Sequence, residues 1–159
     1  MPSGGKVEPG ETSLQAAIRE LQEESGVLAD LEHAGSLFFL TKGADFAFQI
    51  DIYRAESFTG TITESDEMRP EWFSTSNLPI STDGPEAVGS KSAHASGGDQ
   101  SSLLPPLPLA QMWDTDRVWL PLLVSKRKFF GRADFTQEGD VYTPVKWWYG
   151  VPLAGETDG

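Results

Sequence analysis

The stretch GGKVEPGETSLQAAIRELQEESGV, residues 4–27, constrains the fold more than any other part of the chain. Pro9-Gly10 is a turn signal, and Thr12 with Gln15 makes a capping box, so the spacing predicts a helix from there. Gly26 is its natural stop. Between them Leu14, Ala17, Ile18 and Leu21 recur as i, i+3, i+4, i+7 and form one apolar face for packing on a sheet. At roughly 100° per residue, Glu20, Glu23 and Glu24 gather on a different face. Like charges at i+3 and i+4 oppose helix formation, and they sit toward the end of the helix where the dipole also disfavours anions.

Two readings of that acidic face compete. The plainer one is a solvated charge run. The sharper one is a cation site, because Mg²⁺ or Mn²⁺ takes carboxylate oxygens and would relieve the repulsion. Arg19 stands beside the cluster and is placed to orient one of its members.

Composition narrows the chemistry. The 159 residues suffice for one domain with a core. A net charge of −12 disfavours duplex nucleic acid as a partner. An anionic phosphate substrate would therefore need a borrowed positive charge. The absence of cysteine removes disulfides, thiolate metal sites and cysteine nucleophiles. With His33 and His94 as its histidines and no G-x-S-x-G, the chain makes a poor hydrolase triad. No apolar run is long enough for a membrane span, and no signal-peptide pattern is present.

Further along, residues 34–43 and 44–57 read as two strands with a turn at Lys42-Gly43, and Phe46, Phe48, Ile50 and Ile52 alternate at period two. SDEMRPEWFSTSNLP reads as loop plus a short strand around Trp72 and Phe73. Residues 81–110 are rich in Gly, Ser and Pro and read as a flexible insertion, with 154–159 as a frayed tail. MWDTDRVWLPLLVSKRK predicts a helix starting near Thr115 or Asp116, and FFGRADFTQEGDVYTPVKWWYG predicts strands around a Glu-Gly-Asp turn. The whole reads as a single domain over 1–153.

Gly5, then Glu11 after five residues, then after seven more Arg19-Glu20-Leu21-Gln22-Glu23-Glu24-Ser25-Gly26-Val27, resembles the Nudix box at every defined position. With ESDEMRPEWF, MWDTDRVWLPLL and KRKFFG added, the chain is similar to the oxidised-purine nucleoside triphosphatases, the eukaryotic MutT-like branch of that family. The resemblance implies an α+β fold, an α/β/α sandwich on a mixed sheet. It implies Mg²⁺- or Mn²⁺-dependent hydrolysis of nucleotides such as 8-oxo-dGTP to monophosphate and pyrophosphate. A purine nucleoside triphosphate substrate, a monomer and a cytoplasmic, nuclear or mitochondrial nucleotide pool go with it.

Residue by residue, the resemblance makes Glu20, Glu23 and Glu67 catalytic candidates. Glu20, Glu23, Glu24, Glu67 and the Gly4 carbonyl become metal-ligand candidates. Gly5, Glu11, Arg19 and Gly26 are structural. Trp113 matches the tryptophan that stacks on the purine, with core packing as its alternative. The branch has two neighbouring aspartates facing the base edge, where this chain has Thr115 and Asp116. Phe39 and Phe48 fall on pocket-lining strand positions, again with core packing as the alternative. In the family several dozen residues precede the box and supply early strands, so the expectation is a sheet short of those strands. Another diphosphate-linked substrate, or a binding module without catalysis, stays open as an alternative.

Overall fold

Thr12 caps the first helix as its sequence demands. The protein is described by a computed structural model over residues 6–66, 68–79 and 104–152. Helix α1 spans Ser13–Ser25. The Gln15 backbone N–H donates to Thr12 Oγ1 at 3.2 Å, and the Thr12 backbone N–H donates to Gln15 Oε1 at 2.9 Å. Gly26 ends the helix in the left-handed region at φ 73°. A Cβ there would lie 2.5 Å from Thr63 Oγ1 and 2.7 Å from the Thr61 carbonyl. Only glycine meets both the φ and the crowding. The Thr63 N–H donates to the Ser25 carbonyl at 2.9 Å, so residues 61–63 lie against the end of α1.

The expected apolar stripe of α1 is not its buried face. Leu14 is 39% exposed, Ala17, Ile18 and Leu21 are half-buried, and Ala16 is the buried apolar residue. The reason is how α1 meets the sheet. The helix is tied down at its start, where the Ser13 hydroxyl bonds the Tyr53 phenol at 2.8 Å. Polar contact at that end turns Ala16 inward and leaves Leu14 outside.

Strands β1 (Val27–Leu28) and β4 (Thr59–Gly60) make a small antiparallel pair. The main sheet has the order β3-β2-β5-β6, built from β2 (Glu32–Thr41), β3 (Ala47–Arg54), β5 (Phe129–Glu138) and β6 (Val141–Gly150). β2 and β3 pair antiparallel around the expected turn, β2 and β5 run parallel, and β5 and β6 are antiparallel. The sheet is therefore mixed. Period-two alternation gives it two faces. Leu37 lies opposite Ile50, and Phe39 opposite Phe48, on one face. Leu37, Ala34 and Phe129 centre the core there. Helix α2 (Asp116–Val124) covers that face, with the Trp119 ring stacked on Phe129 at a centroid distance of 5.8 Å. α1 reaches the other face through Tyr53.

Two expectations about the middle of the chain need correction. The short strand around Trp72 and Phe73 does not form; pairing is limited to a single parallel bridge from Ser74 to Pro106. Prolines lack the N–H that a longer ladder needs. The end of the segment read as flexible is instead tied down. The Ser74 N–H donates to the Pro105 carbonyl at 2.8 Å, and Asn77 Nδ2 donates to the Leu107 carbonyl at 3.0 Å. A 3₁₀ turn follows at Leu109–Gln111. The rest of that segment, residues 81–103, and the tail 154–159 lie outside the described residues. Among the described residues no helix is long and apolar enough to cross a membrane.

Candidate functional site

The carboxylates of α1 converge on Arg19. Its Nη1 donates to Glu20 Oε1 at 2.8 Å and to Glu23 Oε2 at 3.1 Å. Two acidic groups from one helix face therefore aim at a single positive centre. The other edge of the guanidinium, Nε and Nη2, takes both oxygens of Glu11. Nη2 also donates to the Lys6 carbonyl at 3.2 Å. The hydrogen bond from Arg19 holds the Glu11 carboxyl below the usual carboxylate range, and Glu11, with Glu20 and Glu23, raises the Arg19 guanidinium. Glu11 and Arg19 thus lock the loop before α1 onto the helix. Glu24 is half-buried on the same helix. Gly4, Gly5 and Glu67 lie outside the described residues. The segment leading to Glu67 is fastened to the end of α1 at Thr63. Among the described residues, no three acidic or histidine side chains come close enough together to hold a metal ion.

A second constellation is aromatic. Trp113, 38% exposed, meets Phe135 edge-on at a centroid distance of 5.7 Å and Tyr142 at 6.1 Å. Phe135 in turn meets Phe39 at 5.5 Å. Phe48 pairs across the strands with Phe39 and remains 54% exposed, beside Phe46 at 5.2 Å. Trp113, Phe135 and Phe39 therefore form one aromatic row on this face, with Phe39 packed against the core and Phe48 as its partner on the neighbouring strand.

The side chains of Thr115 and Asp116 do not lie open at this surface. Thr115 is 3% and Asp116 9% exposed. Thr115 Oγ1 and the Tyr149 phenol are buried without a hydrogen-bond partner of good geometry. The Tyr149 phenol is nonetheless a close neighbour of both residues. Burial pushes it up, the Thr115 hydroxyl moderates the effect, and the Asp116 charge adds to it. Burial also raises Asp116, against the hydrogen bonds it receives from Trp119 and Trp113.

Sequence reasoning missed Phe135, Tyr142, Trp119 and Tyr149, the neighbours of Trp113, Thr115 and Asp116. Phe135 was findable, since period-two alternation from Phe129 puts it on the core face. Tyr142 was not, because a register shift between Asp134 and Phe135 resets its strand's pairing. Trp119 was findable as i+3 from Asp116 on α2.

A family model described as the NUDIX domain matches residues 1–90. An oxidized purine nucleoside triphosphate hydrolase of Danio rerio is 36% identical over 133 residues, which is 83% of this chain and 67% of that protein. A protein of the same name from Mus musculus is 34% identical over 139 residues, 87% of this chain and 70% of the relative. With the NUDIX domain matched over residues 1–90, a box complete in sequence from Gly5 to Val27 and a mixed sheet, the chain belongs to the Nudix family.

Proposed function

We propose that this chain is a divalent-metal-dependent hydrolase of oxidised purine nucleoside triphosphates, cleaving substrates such as 8-oxo-dGTP to the monophosphate and pyrophosphate. The observation that carries the reading is the convergence of Glu20 and Glu23 on one positive centre from a single helix face. The relatives named as oxidized purine nucleoside triphosphate hydrolases support the substrate class. The exposed Trp113 ring supports a base-stacking platform.

The donor set suits a hard cation, Mg²⁺ or Mn²⁺, because it consists of carboxylate oxygens without thiolates. Glu20, Glu23 and Glu24 would hold the ion, with Glu67 and the Gly4 carbonyl as further proposed ligands. When bound, the cation neutralises phosphate oxygens and lowers the pKa of a coordinated water. The chain's own residues do the rest. Arg19 keeps two carboxylates trained on one point and Glu11 keeps Arg19 in place. A glutamate, Glu23 or Glu67, accepts the proton of the attacking water. Trp113, Phe39 and Phe48 receive the base.

A second reading is a nucleotide-binding module without turnover. It is favoured by the lack of three convergent ligands among the described residues. Pyrophosphate release from 8-oxo-dGTP with Mg²⁺, beside the Glu23→Gln variant, separates the two. Release that disappears in the variant supports the hydrolase. Nucleotide affinity without release supports the module.

A further inference from the structure

Asp116 is one of the two residues that the family resemblance turns toward the base edge, yet here its oxygens are engaged elsewhere. Oδ2 accepts from the Trp113 backbone N–H at 3.1 Å, and Oδ1 accepts from the Trp119 indole Nε1–H at 3.0 Å. The Asp116 backbone N–H returns a hydrogen bond to the Trp113 carbonyl at 2.9 Å. Trp119 is itself immobilised, stacked on Phe129 with 23° between the ring planes, and Phe129 is 2% exposed. A continuous path of contacts therefore runs from the centre of the core through Trp119 and Asp116 to the Trp113 backbone. At the outer end the Trp113 ring is held by edge-on contacts with Phe135 and Tyr142, at interplanar angles of 75° and 67°. Neither neighbour stacks parallel on it.

We infer that Asp116 is a positioning residue, clamping the Trp113 loop to Trp119 so that the Trp113 ring stands fixed as the purine platform, and that it does not read the base edge. The inference rests on the reading of Trp113 as that platform. Burial supports it, since a carboxylate 9% exposed and already accepting two N–H groups is poorly presented to a ligand. Thr115, 3% exposed, is presented no better. Base preference should then come from shape and stacking, with little dependence on which hydrogen-bonding groups the purine edge carries. A carboxyl that read the edge could accept from one purine when ionised and donate to the other when protonated, so its replacement by an amide would change the ratio between 6-oxo and 6-amino purines.

The test is calorimetric titration of 8-oxo-dGMP and 8-oxo-dAMP into the full chain and three variants, Trp113→Ala, Trp119→Phe and Asp116→Asn. Trp119→Phe is the informative one. It keeps an aromatic ring toward Phe129 and removes the indole N–H that donates to Asp116. The expected result is that Trp119→Phe and Asp116→Asn each weaken both ligands by roughly tenfold, with the ratio between the two ligands unchanged and the binding stoichiometry retained. A role confined to stability would lower the stoichiometry and leave the affinity of the folded fraction where it was. Asp116→Asn reversing the preference between the two purines, with Trp119→Phe silent, would overturn the inference and make Asp116 a base reader. Should Asp116→Asn fail to fold, the Trp119→Phe result decides alone: unchanged affinity sinks the clamp. Trp113→Ala leaving both affinities unchanged would remove the platform itself, and the inference with it.

Discussion

Arg19 grips Glu11 with two prongs: Nε on Oε1 at 3.0 Å and Nη2 on Oε2 at 3.1 Å. The fork matches a carboxylate in a way that an ammonium cannot. Because the same guanidinium also collects Glu20 and Glu23, the pair couples the loop before α1 to the acidic face of the helix. Arg19→Lys keeps the charge and loses the fork. It should lower Tm, and so should Glu11→Gln. The double variant should be hardly worse than Arg19→Lys alone, since the fork on Glu11 is already lost there. Three melting curves beside the wild type check this; simple additivity would mean that the two residues act independently.

The end of α1 makes a sterically stringent prediction. Gly26→Ala places a methyl group 2.5 Å from Thr63 Oγ1 at a φ of 73°. Stability in urea should fall by more than ~1 kcal/mol. Thr12→Ala removes half of the capping box at the opposite end and should cost about 1 kcal/mol. The two sites lie at opposite ends of the helix, so their effects should add.

Metal dependence should be visible without turnover. Under the proposed function the cation site exists in the folded chain and not in the unfolded one, so Mg²⁺ should raise Tm in a concentration-dependent way. Glu23→Gln should abolish that rise, and it should reduce 8-oxo-dGTP hydrolysis by at least ~100-fold. A chelator should reproduce both effects in the wild type. A Tm rise of equal size in the variant would place the ion elsewhere.

Acid should loosen the attachment of α1 to the sheet. Partial burial works to raise the Asp51 carboxyl, but hydrogen bonds from Ser36 and Ser13 and the neighbouring His33 outweigh it and hold it below the usual value. The Ser36 hydroxyl donates to Asp51 Oδ1 at 2.7 Å. A folded-state value below the unfolded one means that the folded chain prefers the charged form. That stability is fully present above the unfolded value, about 3.9, and is lost as pH falls through the lowered folded value. The wild type should therefore lose stability across this window that Asp51→Asn never had. Urea midpoints at pH 6 and below pH 4, compared between the two proteins, give the answer. Parallel losses in both would remove Asp51 as the cause.

Much of α1 was legible because its determinants are local. A capping box, a left-handed glycine and an acidic face at i+3 and i+4 all act within one or two turns, and Thr12, Gln15, Gly26 and Arg19 do what their spacing demands. The strand pair around Lys42-Gly43 was legible for the same reason, since alternation and a turn residue specify a hairpin without reference to the rest of the chain. What the tertiary structure alone decided was direction. Leu14 stands on the apolar stripe of α1 but faces outward, because the helix meets the sheet through Ser13 and Tyr53, forty residues apart in sequence. Proline-rich residues 105–107 read as linker by composition but are held by Ser74, a partner no local rule could supply. Asp116 could be placed at the start of a helix from its neighbours. Whether its carboxylate faces a ligand or binds its own chain depended on where Trp119 came to rest against Phe129, and only core packing fixes that.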